Sequence, residues 1–563
     1  MMRAESQTNY QSRRRAQFRK KSIDGLSLKK LIEAALTWLR TNQQTVNALN
    51  VFPVPDGDTG INMVLTLQAA YDEIANSPEQ NFGKMAHAVA HGALMGARGN
   101  SGVILSQLWR GFARGVDHLE ILDGKTMAAA FAEARDTAYK GVVRPVEGTI
   151  LTVAKDIATA AQEAIAENDD PILILECVIT AADQSVERTP ELLAELRNAG
   201  VVDAGGKGLF FILEGMLRFI DGLSLETAVT SVQPLSAMKL GDSLEMIEPG
   251  QDYEVVVDFR PSAPLNLERF YGELEKMGTS IQVGEGEGIY RMHIHVPAEE
   301  QYSPIEYAKT LGTVTKATIE NLVDQMAELE RKAKGKRPTL TPIEPDQIAV
   351  VTVSPGIGIS RVFASLGVAA IVEGGQTMNP STQDILSAFE NLPTDKIIIL
   401  PNNKNIILAA TSAAELTVKK VAVIPSHNVP EGLSALMRLA PDGDFKGVVH
   451  EMTEALQDIQ TGEITTAIRS VEIDGVQVNE GEIIALLNRK LVASSKNLEE
   501  ACLALLEKAN AQNCELITLF FGVDLSRQEA NQIADSIHAR FPEQEVELQD
   551  GGQPHYQFIM SIE

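Results

Sequence analysis

Between Ile23 and about Gly222 apolar residues recur at helical spacing, as at Leu28, Leu31, Ile32, Ala35 and Leu36, and Ala-rich stretches follow at 85–96, 126–140 and 150–167. Strand-like runs are scarce there. The pattern predicts an all-helical domain over 23–222 whose Gly-rich turns carry the function. Between 223 and 335 the texture changes: 253–259 and 290–296 alternate as strands, and a helix from about 304 to 332 is expected to close a small α/β middle domain. The basic run at 331–338 ends in breakers and reads as a linker. From Ile348 short apolar runs at 348–353, 369–372, 396–400 and 421–424 alternate with helical stretches, the pattern of a parallel sheet. Further strands are expected near 464–473, 515–521, 545–549 and 556–562, which makes 340–563 a two-lobed α/β domain.

Composition narrows the function classes. The chain has 563 residues, and 49 Lys and Arg against 76 Asp and Glu leave a net charge of -27. Such a balance opposes nucleic-acid binding through a general basic surface, so any phosphate site must be local. Cys177, Cys502 and Cys514 show no CxxC or metal-knuckle spacing, which fits a reducing cytoplasm. No apolar run reaches the ~20 residues of a membrane span, and the basic N-terminus lacks the apolar core of a secretory signal. Residues 1–22 carry seven Lys or Arg and one acid. They read as a disordered tail, with peripheral contact to an anionic membrane or an acidic partner as the alternative.

Two stretches carry candidate chemistry. In NVFPVPDGDTGINM, at 50–63, prolines stiffen the approach, glycines permit unusual backbone angles, and Asp56 and Asp58 can converge on one hard cation just before a helix. Carboxylates hold Mg²⁺ best when substrate phosphates complete its octahedron, which points to a nucleotide. The alternative is an Asp-rich turn with Asp58 or Thr59 as a cap. In GARGNSG, at 96–102, a Gly-Asn-Ser-Gly turn opening a helix presents free N–H groups to a phosphate without a lysine. Its alternative is a tight helix connection. A third turn, VVDAGGKG at 201–208, lacks the spacing of a Walker motif. His87 and His91, one helical turn apart, are expected to pack or cap.

The order NVFPVPDGDTGINM, GARGNSG, RPVEGTIL and GVVDAGGKG resembles the nucleotide-binding L subunit of dihydroxyacetone kinases. It is more closely similar to the large bacterial proteins of the fatty acid kinase FakA family. That likeness extends to VEGGQTMNPST at 372–382, LPNNKN at 400–405 and GGQPHY at 551–556. The resemblance implies an eight-helix barrel that binds ATP through Mg²⁺ at one end, a middle domain, and a C-terminal domain like the DegV fatty-acid-binding proteins. By position it makes Asp56 and Asp58 metal ligands and puts Thr59, Gly60, Ile61, Asn62, Ser101 and Gly102 on the phosphates. Gly141 and Ile150 would border the adenine, Arg188 would face the nucleotide, and Asp203, Ala204 and Gly205 would close over it. Asn50 stands where the dihydroxyacetone kinase pattern has a third Asp, and is a weaker, neutral metal ligand.

In the middle domain the resemblance implies a zinc site made of a Cys and a His-x-His pair. His293 and His295 are present on one face of a strand, but Val256 stands where the Cys is expected, and two ligands make a poor zinc site. The loops at 374–375 and 402–405, just after strands, either shape a binding surface or merely turn the chain. The implied activity is transfer of the ATP γ-phosphate to the carboxylate of a fatty acid presented by a separate DegV-like lipid-binding protein, giving an acyl phosphate. A homodimer is also implied. The rival readings are a kinase for a small hydroxy-ketone such as dihydroxyacetone, and a nucleotide-sensing scaffold that binds lipid or protein.

Overall fold

The computed structural model describes residues 23–50, 57–142, 144–225, 233–234, 250–274, 276–286, 288–322, 338–376, 378–467, 471–473 and 476–563. The basic segment 1–22, Asp56 and the linker at 331–337 lie outside them. The described chain forms two compact units, one made of 1–225 with 338–563 and one of 226–337.

The N-terminal part is helical: α1 (Gly25–Thr41), α2 (Gln43–Leu49), α3 (Thr59–Ile74), α4 (Phe82–Met95), α5 (Gly99–Gly115), α6 (Gly124–Lys140), α7 (Ile150–Ile165), α8 (Pro171–Leu192), α9 (Ala194–Ala199) and α10 (Ala204–Asp221). Short polar side chains set the starts. Asp24, Asn81, Asp123 and Asp170 each accept a hydrogen bond from a first-turn amide, and Pro171 supplies a preset first residue. Gly200 and Gly222 end α9 and α10 in the left-handed region. The eight longer helices pack each on the next from α3 to α8, then α8 on α10, α10 on α1 and α1 on α3, so the ring closes. Their apolar stripes form one core, and within it lies an apolar cavity of about 100 Å³ lined by residues such as Leu31, Leu105, Trp109, Phe131, Ile157 and Leu213.

The middle unit contains β1 (Gln233–Pro234), β2 (Tyr253–Pro261), β3 (Thr279–Gly286), β4 (Ile289–Val296) and β5 (Gly312–Asn321), paired in one sheet of order β1-β3-β4-β2-β5. The helix expected over 304–332 is corrected up to residue 322: it spans Ser303–Leu311 and gives way to β5 at Gly312, while 323–332 lies outside the described residues. Thr313, Val314, Thr315, Thr318 and Ile319 are β-branched, and their stiff side chains favour the extended chain once glycine has broken the helix.

The first C-terminal lobe is built on β6 (Ile348–Ser354), β7 (Ala370–Glu373), β8 (Lys396–Leu400) and β9 (Lys420–Val423), a parallel sheet of order β7-β6-β8-β9. Every residue of β6 is buried, as a central parallel strand covered on both faces requires. The second lobe has a six-stranded sheet whose centre pairs Gln460–Thr466 with Tyr556–Ile562 and the latter with Leu516–Phe521. The expected strand at 464–473 is in fact two: Gln460–Thr466 and Val471–Ile473, the second in a separate two-stranded hairpin. The Gly551 carbonyl accepts from the amides of Gly358 and Ile359, so the Gly-rich turn at 356–358 is filled by the chain's own C-terminal segment.

Candidate active site

Four helices begin side by side at one end of the ring. Gly99 opens α5 with a φ of +57°, which favours glycine, and a Cβ there would stand 2.6 Å from Nδ2 of Asn62 in α3. Gly102 lies against Thr66, so the α5 turn also packs closely on α3. Met63 of α3 meets Gly208 of α10, each just over one turn into its helix, and Gly205 approaches Ile150, the first residue of α7. The positive ends of four helix dipoles therefore gather in one place, an arrangement suited to a polyanion.

Asp58 sits at this end, 4% exposed, immediately before α3. Its carboxylate does not cap the helix. Asn47 of α2 does that work, its Oδ1 accepting from the amides of Gly60 at 2.7 Å and Ile61 at 3.3 Å. Two amides that the resemblance puts on phosphate are thus satisfied within the protein, and the Asn62 amide joins the helix ladder through the Asp58 carbonyl at 2.8 Å. The Asp58 carboxylate accepts from side-chain amides: Oδ2 from Nδ2 of Asn379 at 2.5 Å, and Oδ1 from Nδ2 of Asn50 at 3.4 Å. A buried carboxylate held by neutral amide donors, with the Asn50 side-chain oxygen nearby, offers the hard oxygen ligands that a divalent cation takes. Asp56, the other expected ligand, lies outside the described residues.

The remaining expected residues surround this end at varied depth. Ser101 is half-buried on the first turn of α5 and Gly102 buried beside it. Gly141 is exposed at the end of α6, beside Gln107 of the antiparallel α5. Arg188 is directed to Asp156, 2.9 Å away, an acid that also accepts from Ser185 at 2.7 Å. Asp203 caps α10 by accepting from Gly206 at 2.7 Å. Burial pushes its carboxyl up to about 6, against the lowering effect of hydrogen bonds from the Gly206 and Ile150 amides. Lys207, in the first turn of α10, points to Asp183 at 3.3 Å and lies over the Phe210 ring. His87 and His91 are exposed and face Asp117 and Glu73 at 3.2 and 3.5 Å.

What sequence reasoning missed is that the C-terminal lobe covers this end. The Asn379 carbonyl accepts from Arg98 at 2.9 Å, and the Arg98 guanidinium also meets Asp384 at 3.3 Å. The Thr382 amide donates to the Ala97 carbonyl at 3.2 Å, and Asn100 donates to Asn405 at 3.2 Å. Ala97 and Val103 are buried with Ile385, Phe389, Ile406 and Ala409 of the lobe. The loops after β7 and β8 therefore do more than turn the chain: they form a docking surface for the GARGNSG turn. Asn402 holds the second loop rigid with a left-handed φ of 53°, donating to Thr352 and Val353 and accepting from Ser426, each at 2.8 Å.

A second cluster lies in the middle unit. β2 and β4 pair antiparallel with Glu254 opposite His295 and Val256 opposite His293. Ligand atoms of Glu254, His293 and His295 lie within 4.8 Å of one another, and all three residues are buried. The fold thus brings a third group able to bind a metal to the two histidines counted in the sequence. Glu254 Oε1 is 2.9 Å from His293 Nε2, and among the described residues no hydrogen bond of good geometry reaches the ring nitrogens of either histidine. Burial, and then His293, depress His295 to about 4, so it is neutral at pH 7, the form that binds metal. Among the described residues no helix is long and apolar enough to cross a membrane.

Comparison with known proteins follows the same division. Residues 53–218 match the DAK2 domain, 248–329 the FakA-like middle domain of fatty acid kinases, and 349–563 the FakA-like C-terminal domain. The protein YloV of Bacillus subtilis is 38% identical over 553 residues, covering 96% of this chain and 100% of its own. A DegV family protein of Corynebacterium glutamicum is 14% identical with a TM-score of 0.30, covering 38% of this chain and 96% of that one. The dihydroxyacetone kinase of C. freundii in complex with AMP-PNP and Mg²⁺ is 17% identical with a TM-score of 0.27, covering 34% and 33%. TM-scores of this size leave the assignment to the sequence matches. Those matches run through the helical, middle and C-terminal parts alike, and on them the chain belongs to the FakA-like family of fatty acid kinase proteins.

Proposed function

We propose that the chain is the ATP-dependent component of a fatty acid kinase, transferring the γ-phosphate to the carboxylate of a fatty acid presented by a separate DegV-like lipid-binding protein. The observation that carries this reading is the buried Asp58 carboxylate at the meeting point of four helix N-termini. Mg²⁺, when bound, would neutralise phosphate charge and align the reacting groups. Asp58, Asp56 and Asn50 would hold it. The helix starts at Gly99 and Ala204 would bear the phosphates through their dipoles and the Ser101 hydroxyl, with Ile150 and Gly141 towards the base and Arg188 at the nucleotide's edge.

An oxygen of the fatty-acid carboxylate attacks the γ-phosphorus and the bond to the β-phosphate oxygen breaks, giving acyl phosphate and ADP. The attacking group is already ionised at neutral pH, so the site needs no general base. Its histidines agree with that: His87 and His91 are surface residues paired to acids. In the middle unit Glu254, His293 and His295 would hold a Zn²⁺, three protein ligands being enough for a tetrahedral ion with one further ligand.

The test is Mg²⁺-dependent transfer of labelled γ-phosphate to a fatty acid in the presence of the lipid-binding partner, with Asp58→Asn as control. Acyl phosphate that requires the partner, reduced by about 100-fold or more in the variant, supports the reading. Phosphorylation of dihydroxyacetone instead, or nucleotide binding with no phosphorylated product, would replace it by the hydroxy-ketone kinase or the sensor.

A further inference from the structure

The side chain of Asn379 is 2% exposed and belongs to the C-terminal lobe, yet its nearest polar partner is Asp58 of the helical part, 321 residues earlier. Nδ2 donates to Asp58, so Oδ1 of the same amide points elsewhere, and among the described residues this buried oxygen has no hydrogen-bond partner. A buried carbonyl oxygen without a donor is costly and calls for an occupant. The surroundings say which kind. Nδ2 of Asn379 stands 3.6 Å from where a Cβ on Gly99 would lie, and Nδ2 of Asn62 stands 2.6 Å from the same point. Oδ1 is an acceptor, so it suits a cation or a water bound to one, and it repels a phosphate oxygen.

The residue is also held from behind. Its carbonyl accepts from Arg98, whose guanidinium meets Asp384 as well, and two residues from Arg98 the Asn100 amide reaches Asn405. The GARGNSG turn therefore touches both the proposed phosphate site and the loop that carries Asn379.

We propose that Asn379 is a positioning residue of the kinase site: Nδ2 fixes the Asp58 carboxylate, Oδ1 faces the place of the divalent cation, and the metal site is complete only when the C-terminal lobe is docked. This rests on the reading of Asp58 as a metal-holding group. It gives the lobe a part in phosphoryl transfer that is separate from any lipid or protein it binds.

The test measures metal binding directly on the full-length chain, with Mn²⁺ in place of Mg²⁺, by electron paramagnetic resonance in the presence of AMP-PNP. Asn379→Ala should weaken Mn²⁺ binding by about tenfold, as loss of a supporting group around a metal ligand does. AMP-PNP affinity in EDTA should stay within about twofold of wild type. Asp58→Asn should abolish tight Mn²⁺ binding, and Asp58→Asn with Asn379→Ala should bind no worse than Asp58→Asn alone, because the two residues act as one group. Unchanged Mn²⁺ affinity in Asn379→Ala beside its loss in Asp58→Asn overturns the proposal and leaves the kinase reading standing. Unchanged affinity in both variants overturns the two together. Should alanine at this buried seam unfold the chain, Asn379→Asp keeps the shape and puts a second carboxylate against Asp58. Its melting temperature should then fall in EDTA and rise more than that of wild type on adding Mn²⁺ with AMP-PNP, and an equal rise in both proteins overturns the proposal.

Discussion

Asp58 is a buried acid and Glu463 a half-buried one, and the fold treats them in different ways. Asp58 is compensated by amide donors, whereas Glu463, on the strand Gln460–Thr466, is pushed up to about 7 by burial and by the nearby Glu431, with Lys404 and Arg489 pulling the other way. A folded-state carboxyl held above its unfolded value of 4.5 contributes stability below that value, and loses it as pH rises through 7. Glu463→Gln should therefore raise the unfolding temperature above wild type by an amount that grows from about pH 5.5 to about pH 8.5. At the upper end the gain should be on the order of 2 kcal/mol, with thermal melts at the two pH values as the check. At this scale the sequence was legible where one short motif holds a whole feature. The turn at 96–102 announced a glycine-dependent helix start, and Gly99 is one. Asn47 and Asn379 were not legible, since an asparagine side chain has no local sign of a partner 13 or 321 residues away.

Elements were legible to the extent that their pattern is periodic. The ring of helices follows from apolar stripes with capped ends, and the parallel sheet from short apolar runs between helices. The helix expected over 304–332 failed because a single glycine switches the period, and the β-branched run after it adds a fifth strand to the sheet. Strand register is equally hidden, and it matters for the metal cluster: the partner of His295 across the sheet is Glu254, while Val256, at the position expected of a cysteine, faces His293. If those three side chains hold zinc, the purified chain should carry close to one equivalent by elemental analysis. His293→Ala should lose it and lower the melting temperature of the middle unit by several degrees, because structural zinc contributes directly to folding. A metal-free wild-type protein with the same melting temperature in chelator would remove zinc from the account.

Across the whole molecule the helical part and the C-terminal lobe share one contact surface, with the apolar residues Ala97 and Val103 at its centre and the Arg98 and Asn100 contacts around it. The sequence could not reveal this, because both sides look like ordinary turns until they meet. Amides at 97–102, 378–384 and 403–406 should become protected from hydrogen exchange together when AMP-PNP and Mg²⁺ are added, and protection confined to 97–102 would show the lobe to be indifferent to the nucleotide. The same surface has a consequence for how the protein is made. Arg98 and the residue it holds, Asn379, are 281 positions apart, with the middle unit encoded between them. At about 5–20 residues per second, a ribosome takes roughly 15 to 55 seconds to travel that distance. For the later part of that interval, once α10 ends at Asp221 and the ring can close, the helical part stands with the Ala97 and Val103 patch bare, waiting on a partner the ribosome has yet to translate.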